Sequence, residues 1–257
     1  MLRLKLALGA VLLLAVPVTL AGAQGAAPTV AVTVSQGNMT FAPAAPTAGG
    51  PTRFTYNGRG ELNLATLRAG VTVEQLRQAL RSRNQDTEAL QLVFLEAAVQ
   101  RGTPATVDLR PNTTYVAAGG ARAQALTTFT TAADSGASAP APDARIRMVD
   151  YGFRGPATLP RNGRIRFVND GTTFHFAIAF PLRRGVSARR ANRIFRGTNE
   201  RAIGRVTAGP PVDALGLISQ GSTQDNEVRF ARRGRYAMVC FFAEHFRLGM
   251  TRVYRVR

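Results

Sequence analysis

Residues 234 to 250 read GRYAMVCFFAEHFRLGM, and the character of the chain changes within this stretch at Cys240. Ahead of it, Arg235-Tyr236-Ala237-Met238-Val239 is a short apolar-rich run behind a glycine, which predicts a strand. Beyond it, the next ten residues predict a loop capping the strand's end. His245 lies five residues after Cys240 and Met250 five after that, so the loop reads C-x4-H-x4-M. These positions are worth weighing because the whole chain has one Cys and two His. The other histidine, His175, stands in the earlier run VNDGTTFHFAIAF.

Two residues on a loop and one at its strand end can converge on a metal ion, with His175 supplied by a neighbouring strand. A thiolate and two imidazoles in a trigonal set, with a long axial thioether, satisfy both Cu(I) and Cu(II). Each residue also has a plainer reading. Cys240 lies in the apolar run Met238 to Phe242, where a free cysteine behaves as a small buried hydrophobe. His175, between Phe174 and Phe176, could be a core histidine, and Met250 could simply pack under the loop.

Working outward, short alternating segments recur along the chain between Gly, Asn, Asp and Pro. Arg164-Ile165-Arg166-Phe167-Val168 before Asn169-Asp170-Gly171 is a clear case. The stretch 132 to 143, AADSGASAPAPD, has no large apolar residue and reads as a linker. It separates a unit at 24 to 131 from a unit at 144 to 257, and the two follow a similar plan. The predicted fold is all-β: two tandem Greek-key sandwiches, each interrupted by a short helical insertion. In the first insertion Val73, Leu76, Ala79 and Leu80 fall at helical spacing, with Glu74, Arg77, Gln78 and Arg81 facing water. In the second, a helix starting near Ser187 would turn Ile194 towards the sheet and fan arginines outward.

Residues 144 to 257 resemble the cupredoxins, the small blue copper proteins that include plastocyanin, azurin and rusticyanin. The resemblance is carried by Asn169-Asp170-Gly171 ahead of His175, by Gly234, Tyr236 and Cys240 in G-x-Y-x-x-x-C, and by the loop spacing. It implies one type 1 copper, with Cys240 as thiolate ligand, His175 and His245 as equatorial nitrogens and Met250 as axial ligand. It also implies electron transfer, with the His245 edge near a surface ringed by Phe241, Phe242 and Phe246. One position departs from the pattern. Many members carry an Asn directly after the first His, where it ties the two ligand strands, and here that residue is Phe176.

The first unit contains no His and no Cys, so it cannot hold such a site. Asn63 follows Asn57 by the same interval as His175 follows Asn169, and Gly119 follows Tyr115 as Cys240 follows Tyr236. It looks like a degenerate cupredoxin-like unit that has shed its metal.

Composition bounds the rest. Arg3 and Lys5, an apolar run from Leu6 to Leu20 and Ala21-Gly22-Ala23 predict a signal peptide over 1 to 23, hence an exported, periplasmic, envelope or extracellular protein. A lone Cys in an oxidising compartment excludes a disulfide scaffold. The chain carries a formal net charge of +18, most of it in the second unit, where 22 arginines face seven acidic residues. Eight arginines lie between Arg183 and Arg205. They form either a solvated face or a dock for an acidic redox partner or anionic envelope component, with a membrane surface possible and nucleic acid not expected. Two histidines leave none for a second copper centre, and no Ser-His-Asp set, phosphate loop or Cys-x-x-Cys is present, which argues against an enzyme. The other readings are copper capture and delivery, or a metal-free module binding an acidic envelope partner.

Overall fold

Alternation at 164 to 168 becomes a strand in which Ile165 and Phe167 are fully buried while Arg164 and Arg166 are half-exposed. The same logic builds most of the molecule. The structure is a computed structural model describing residues 25 to 197 and 199 to 257, so the expected signal peptide lies outside the described residues.

The first half contains β1 (Thr29–Ser35), β2 (Asn38–Ala42), β3 (Gly50–Asn57), β4 (Glu61–Leu67), α1 (Val73–Arg81) and α2 (Gln85–Leu92). It continues with β5 (Val93–Gln100), β6 (Ala105–Leu109), β7 (Thr114–Gly119) and β8 (Ala125–Thr130). The second half contains β9 (Ala144–Val149), β10 (Gly152–Arg154), β11 (Thr158–Leu159), β12 (Asn162–Asn169), β13 (His175–Pro181), α3 (Ala188–Phe195) and α4 (Glu200–Val206). It ends with β14 (Val212–Ile218), β15 (Thr223–Arg229), β16 (Gly234–Val239) and β17 (Thr251–Val256).

The strand pairings of the first half recur in the second. β1 pairs antiparallel with β2 and parallel with β3, as β9 does with β10 and β12. β3–β6, β4–β5, β4–β7 and β7–β8 are matched by β12–β15, β13–β14, β13–β16 and β16–β17. Each half is a sandwich around its own core. Val32, Phe54 and Leu109 meet Leu62, Leu64 and Tyr115 in the first, and Ile146, Ile165 and Phe167 meet Ala177, Met238 and Tyr254 in the second.

The halves share one sheet. Its order is β10-β9-β12-β15-β6-β3-β1-β2, so the corresponding strands β15 and β6 pair antiparallel across the middle. Arg53 grips Glu227 with both guanidinium arms, at 2.5 and 2.8 Å. On the opposite layer Gln224 accepts from Ala98 N and donates to Ala98 O, both at 2.9 Å, clasping β5. These inter-half bonds are buried or half-buried, where an unmade partner would cost about 1–3 kcal/mol. Residues of the expected linker run along the first sandwich, with Ala132 N donating to Thr47 O at 2.8 Å and Ser138 N to Gly25 O at 3.1 Å.

Each insertion holds two helices where the sequence suggested one. α1 matches expectation: Thr72 and Gln75 form a capping box, and Leu76 and Ala79 are buried. α3 is capped by Ser187 and buries Ala191 and Phe195, with Ile194 half-buried beside them. α2 and α4 escaped notice because they are eight and seven residues long, and α2 has no side-chain cap.

Candidate metal centre

The donors arrive at one tip of the second sandwich because strand ends put them there. β16 stops at Val239, so Cys240 is the first residue off the strand, and Ile178 of β13 pairs with Val239. β13 begins at His175, and Met250 directly precedes β17. Between them the loop closes on itself. His245 N donates to Phe242 O (2.9 Å), Met250 N to His245 O (3.0 Å) and Cys240 N to Met250 O (3.2 Å). Ahead of β13, buried Asn169 shapes the turn. Its Nδ2 donates to Thr173 O at 2.8 Å and Ile218 O at 3.1 Å, and its Oδ1 accepts from Gly171 N at 3.1 Å.

Three of the four residues singled out in the sequence bring their donor atoms together. Nδ1 of His175 lies 3.2 Å from Nδ1 of His245, and Cys240 Sγ lies 4.0 and 3.8 Å from the two nitrogens. The point equidistant from the three is about 2.1 Å from each, within the roughly 2.0–2.3 Å that a first-row ion makes to imidazole nitrogen and thiolate sulfur. Met250, fully buried, belongs to the same packed core as Cys240. His175 and Cys240 are fully buried and His245 is 4% exposed. One thiol, two imidazoles and a neighbouring thioether fit one type 1 copper, since sulfur suits Cu(I) and imidazole either state.

Burial sets the protonation states. It pushes the Cys240 thiol up to about 11, against the pull of backbone N–H groups of Phe176 and Phe242 on the sulfur. Burial, then His245, takes His175 down to about 4, with Asp150 opposing, and burial also lowers His245. Both imidazoles are therefore neutral at pH 7, with lone pairs free for a metal, and only the thiol must lose a proton. At the position that departs from the resemblance, the Phe176 side chain packs against the second core and lines a cavity beside it.

Sequence reading missed the surroundings of the two imidazoles. Asp150 Oδ1 lies 3.5 Å from His175 Nε2, and the carboxylate is held by Thr172 N at 2.8 Å and Thr172 Oγ1 at 2.9 Å. Gly171 makes room for this contact: a Cβ there would lie 2.5 Å from both Asp150 Oδ1 and His175 Nε2. Tyr151 packs edge-on against His245 with ring centroids 5.4 Å apart. In sequence, 150 and 151 are only a turn between two short strands; pairing of Asn169 with Met148 is what carries them to the tip.

The expected phenylalanine rim needs correction. Phe242 does pack on His245, at 5.5 Å, but Phe246 is buried beside Phe241 in the core beneath α3. The large apolar side chains exposed among the described residues are Tyr151 (45%) and Leu248 (59%), one against His245 and one on the ligand loop.

No protein-family model and no curated protein matches the chain. Among solved structures, auracyanin A, a "blue" copper protein from Chloroflexus aurantiacus, is 17% identical over 44% of this chain and 96% of its own, with a TM-score of 0.27. Reduced auracyanin from Roseiflexus castenholzii is 16% identical over 44% and 94%, at 0.28. Copper nitrite reductase from Nitrosomonas europaea is 13% identical over 91% and 94%, at 0.28. Scores this low leave the reading of the centre to its own donor atoms.

Proposed function

We propose that this chain is an exported electron-transfer protein that holds one copper on His175, Cys240, His245 and Met250. The observation that carries the reading is the triangle of two Nδ1 atoms and one Sγ around a point at bonding distance from all three. Copper bound there would supply a one-electron couple. The chain's part is to hold the imidazoles neutral, keep water from the buried donors and fix the loop by its three backbone bonds, so that little need move when the charge changes.

Partner docking follows from the tip's surface. Tyr151 and Leu248 offer an apolar contact beside His245, and all eight arginines from Arg183 to Arg205 are exposed. Arg196 reaches the ligand loop, where a Cβ on Gly249 would come within 3.2 Å of its Nη2. An acidic redox protein suits that apolar centre and basic rim. We read the chain as a carrier rather than an enzyme because its two histidines are both committed to one centre. The first sandwich serves as a structural partner, and its matching strand plan supports descent of both halves from one duplicated unit.

Adding Cu(II) to the purified protein and recording visible, paramagnetic and electrochemical signals tests the reading. An intense blue band with a reversible potential is expected. A colourless Cu(I) complex that exchanges rapidly would replace electron transfer by copper capture and delivery, and no uptake would leave a metal-free binding module.

A further inference from the structure

Between the sandwiches lies a cavity of about 590 Å³, well within the roughly 300–1,000 Å³ of small-molecule sites. Its floor is the face of β4 and β5 turned away from the first core. Leu62 and Leu64 point into that core, and alternation therefore sends Glu61 and Asn63 the other way. Gln100, the cross-strand partner of Glu61, lies beside them. α1 and α2 cover it with Leu76, Leu80 and Leu90, and the second half supplies Phe176, Ile178 and Phe242. One end is thus apolar and the other rich in oxygen.

The polar end has a consistent sign. Glu61 and Asp213 line it, and buried Asn63 Oδ1 and Gln100 Oε1 have no hydrogen-bond partner among the described residues. Among the residues whose side chains are described, no Arg, Lys or His lines the cavity. Gly216 keeps space for the carboxylate: a Cβ there would stand 2.7 Å from Glu61 Oε2 and 2.4 Å from Ala98 Cβ. Burial, partly offset by hydrogen bonds from Gln100 and Asn63, pushes the Glu61 carboxyl above its ordinary range, and nearby Asp213 adds to the push. A half-buried carboxylate of this kind gains from a cation that also donates hydrogen bonds.

We infer that this cavity binds an organic ammonium ion with an apolar body, its N–H groups meeting Glu61, Asn63 and Gln100 and its hydrocarbon lying under α1 and α2. None of the metal donors lines the cavity, although Phe176 follows His175 and Phe242 packs on His245, and the polar groups of the site are not shared with the metal centre. Hexylammonium, hexanoate and 1-hexanol, matched in chain length, are titrated into the full chain by calorimetry, with and without copper. Saturable hexylammonium binding at least tenfold tighter than either analogue is expected in both forms. Glu61→Gln should weaken it at least tenfold, and Leu80→Trp, which fills the apolar end with Glu61 intact, should weaken it similarly, each with an unchanged circular dichroism spectrum. Equal or tighter binding of hexanol or hexanoate overturns the inference, as does an unaltered affinity in Glu61→Gln or the lack of saturable binding to the folded chain.

Discussion

The two sandwiches share one strand plan and differ at their tips. In the second, β16 and β17 are separated by a loop of 11 residues, Cys240 to Met250, long enough to fold back and bring His245 to Cys240. In the first, β7 and β8 are separated by five, Gly120 to Gln124. That tip is closed by a tyrosine: Tyr56 Oη accepts from Gly120 N at 2.8 Å and donates to Arg59 O at 3.0 Å. A Cβ on Gly119, the position matching Cys240, would come within 3.3 Å of Val34, Met39 and Tyr56 side chains. The first tip therefore lacks both donors and the room for them. The lesson is that the sandwich is a neutral support, and chemistry depends on loop length and what the loop carries.

Removing the sulfur tests this contrast most harshly. Cys240→Ser should abolish the blue band completely and make the second tip as colourless as the first, by visible spectroscopy of the copper-treated protein. A blue Cys240→Ser protein would show the donor assignment to be wrong. Gly171→Ala drives a methyl into the space shared by His175 Nε2 and Asp150, and should lower copper affinity by about 10- to 100-fold while the fold persists. Competition with a chelator of known affinity gives the value.

Protonation supplies the next measure. With His175 lowered to about 4 and Cys240 raised to about 11, metal binding near neutrality displaces one proton, from the thiol. Apparent affinity should rise about tenfold per pH unit between pH 6 and 8 and flatten only above the thiol's own range. A slope near two would mean that an imidazole is protonated in the metal-free chain. Met250→Leu should keep the colour and raise the reduction potential, on the order of 60 mV for a tenfold loss of Cu(II) stabilisation in a one-electron couple. Cyclic voltammetry reads it.

The smallest expected effect belongs to the first tip. Tyr56→Phe removes a hydroxyl that accepts one bond and donates another, and should cost about 1–2 kcal/mol in denaturant unfolding. The copper band should not shift. If it does, the two tips communicate through the shared sheet, and the separation drawn between them fails.

Much of this was legible in the residues alone. Alternation at Ile165 and Phe167, the helical stripe of Leu76 and Ala79, and the spacing of Cys240, His245 and Met250 are local patterns, written over a few consecutive residues. Such patterns survive in one dimension because strand and helix periodicity act between near neighbours. The short helices α2 and α4 carried no comparable stripe, so they were invisible. Asp150 and Tyr151 at the imidazoles, the joining of β15 to β6 and the Glu61 cavity depend instead on which strands pair and in what register. Those choices bring together residues from about 20 to more than 100 positions apart, and they are settled by burying two cores at once, a condition no single segment of the chain records.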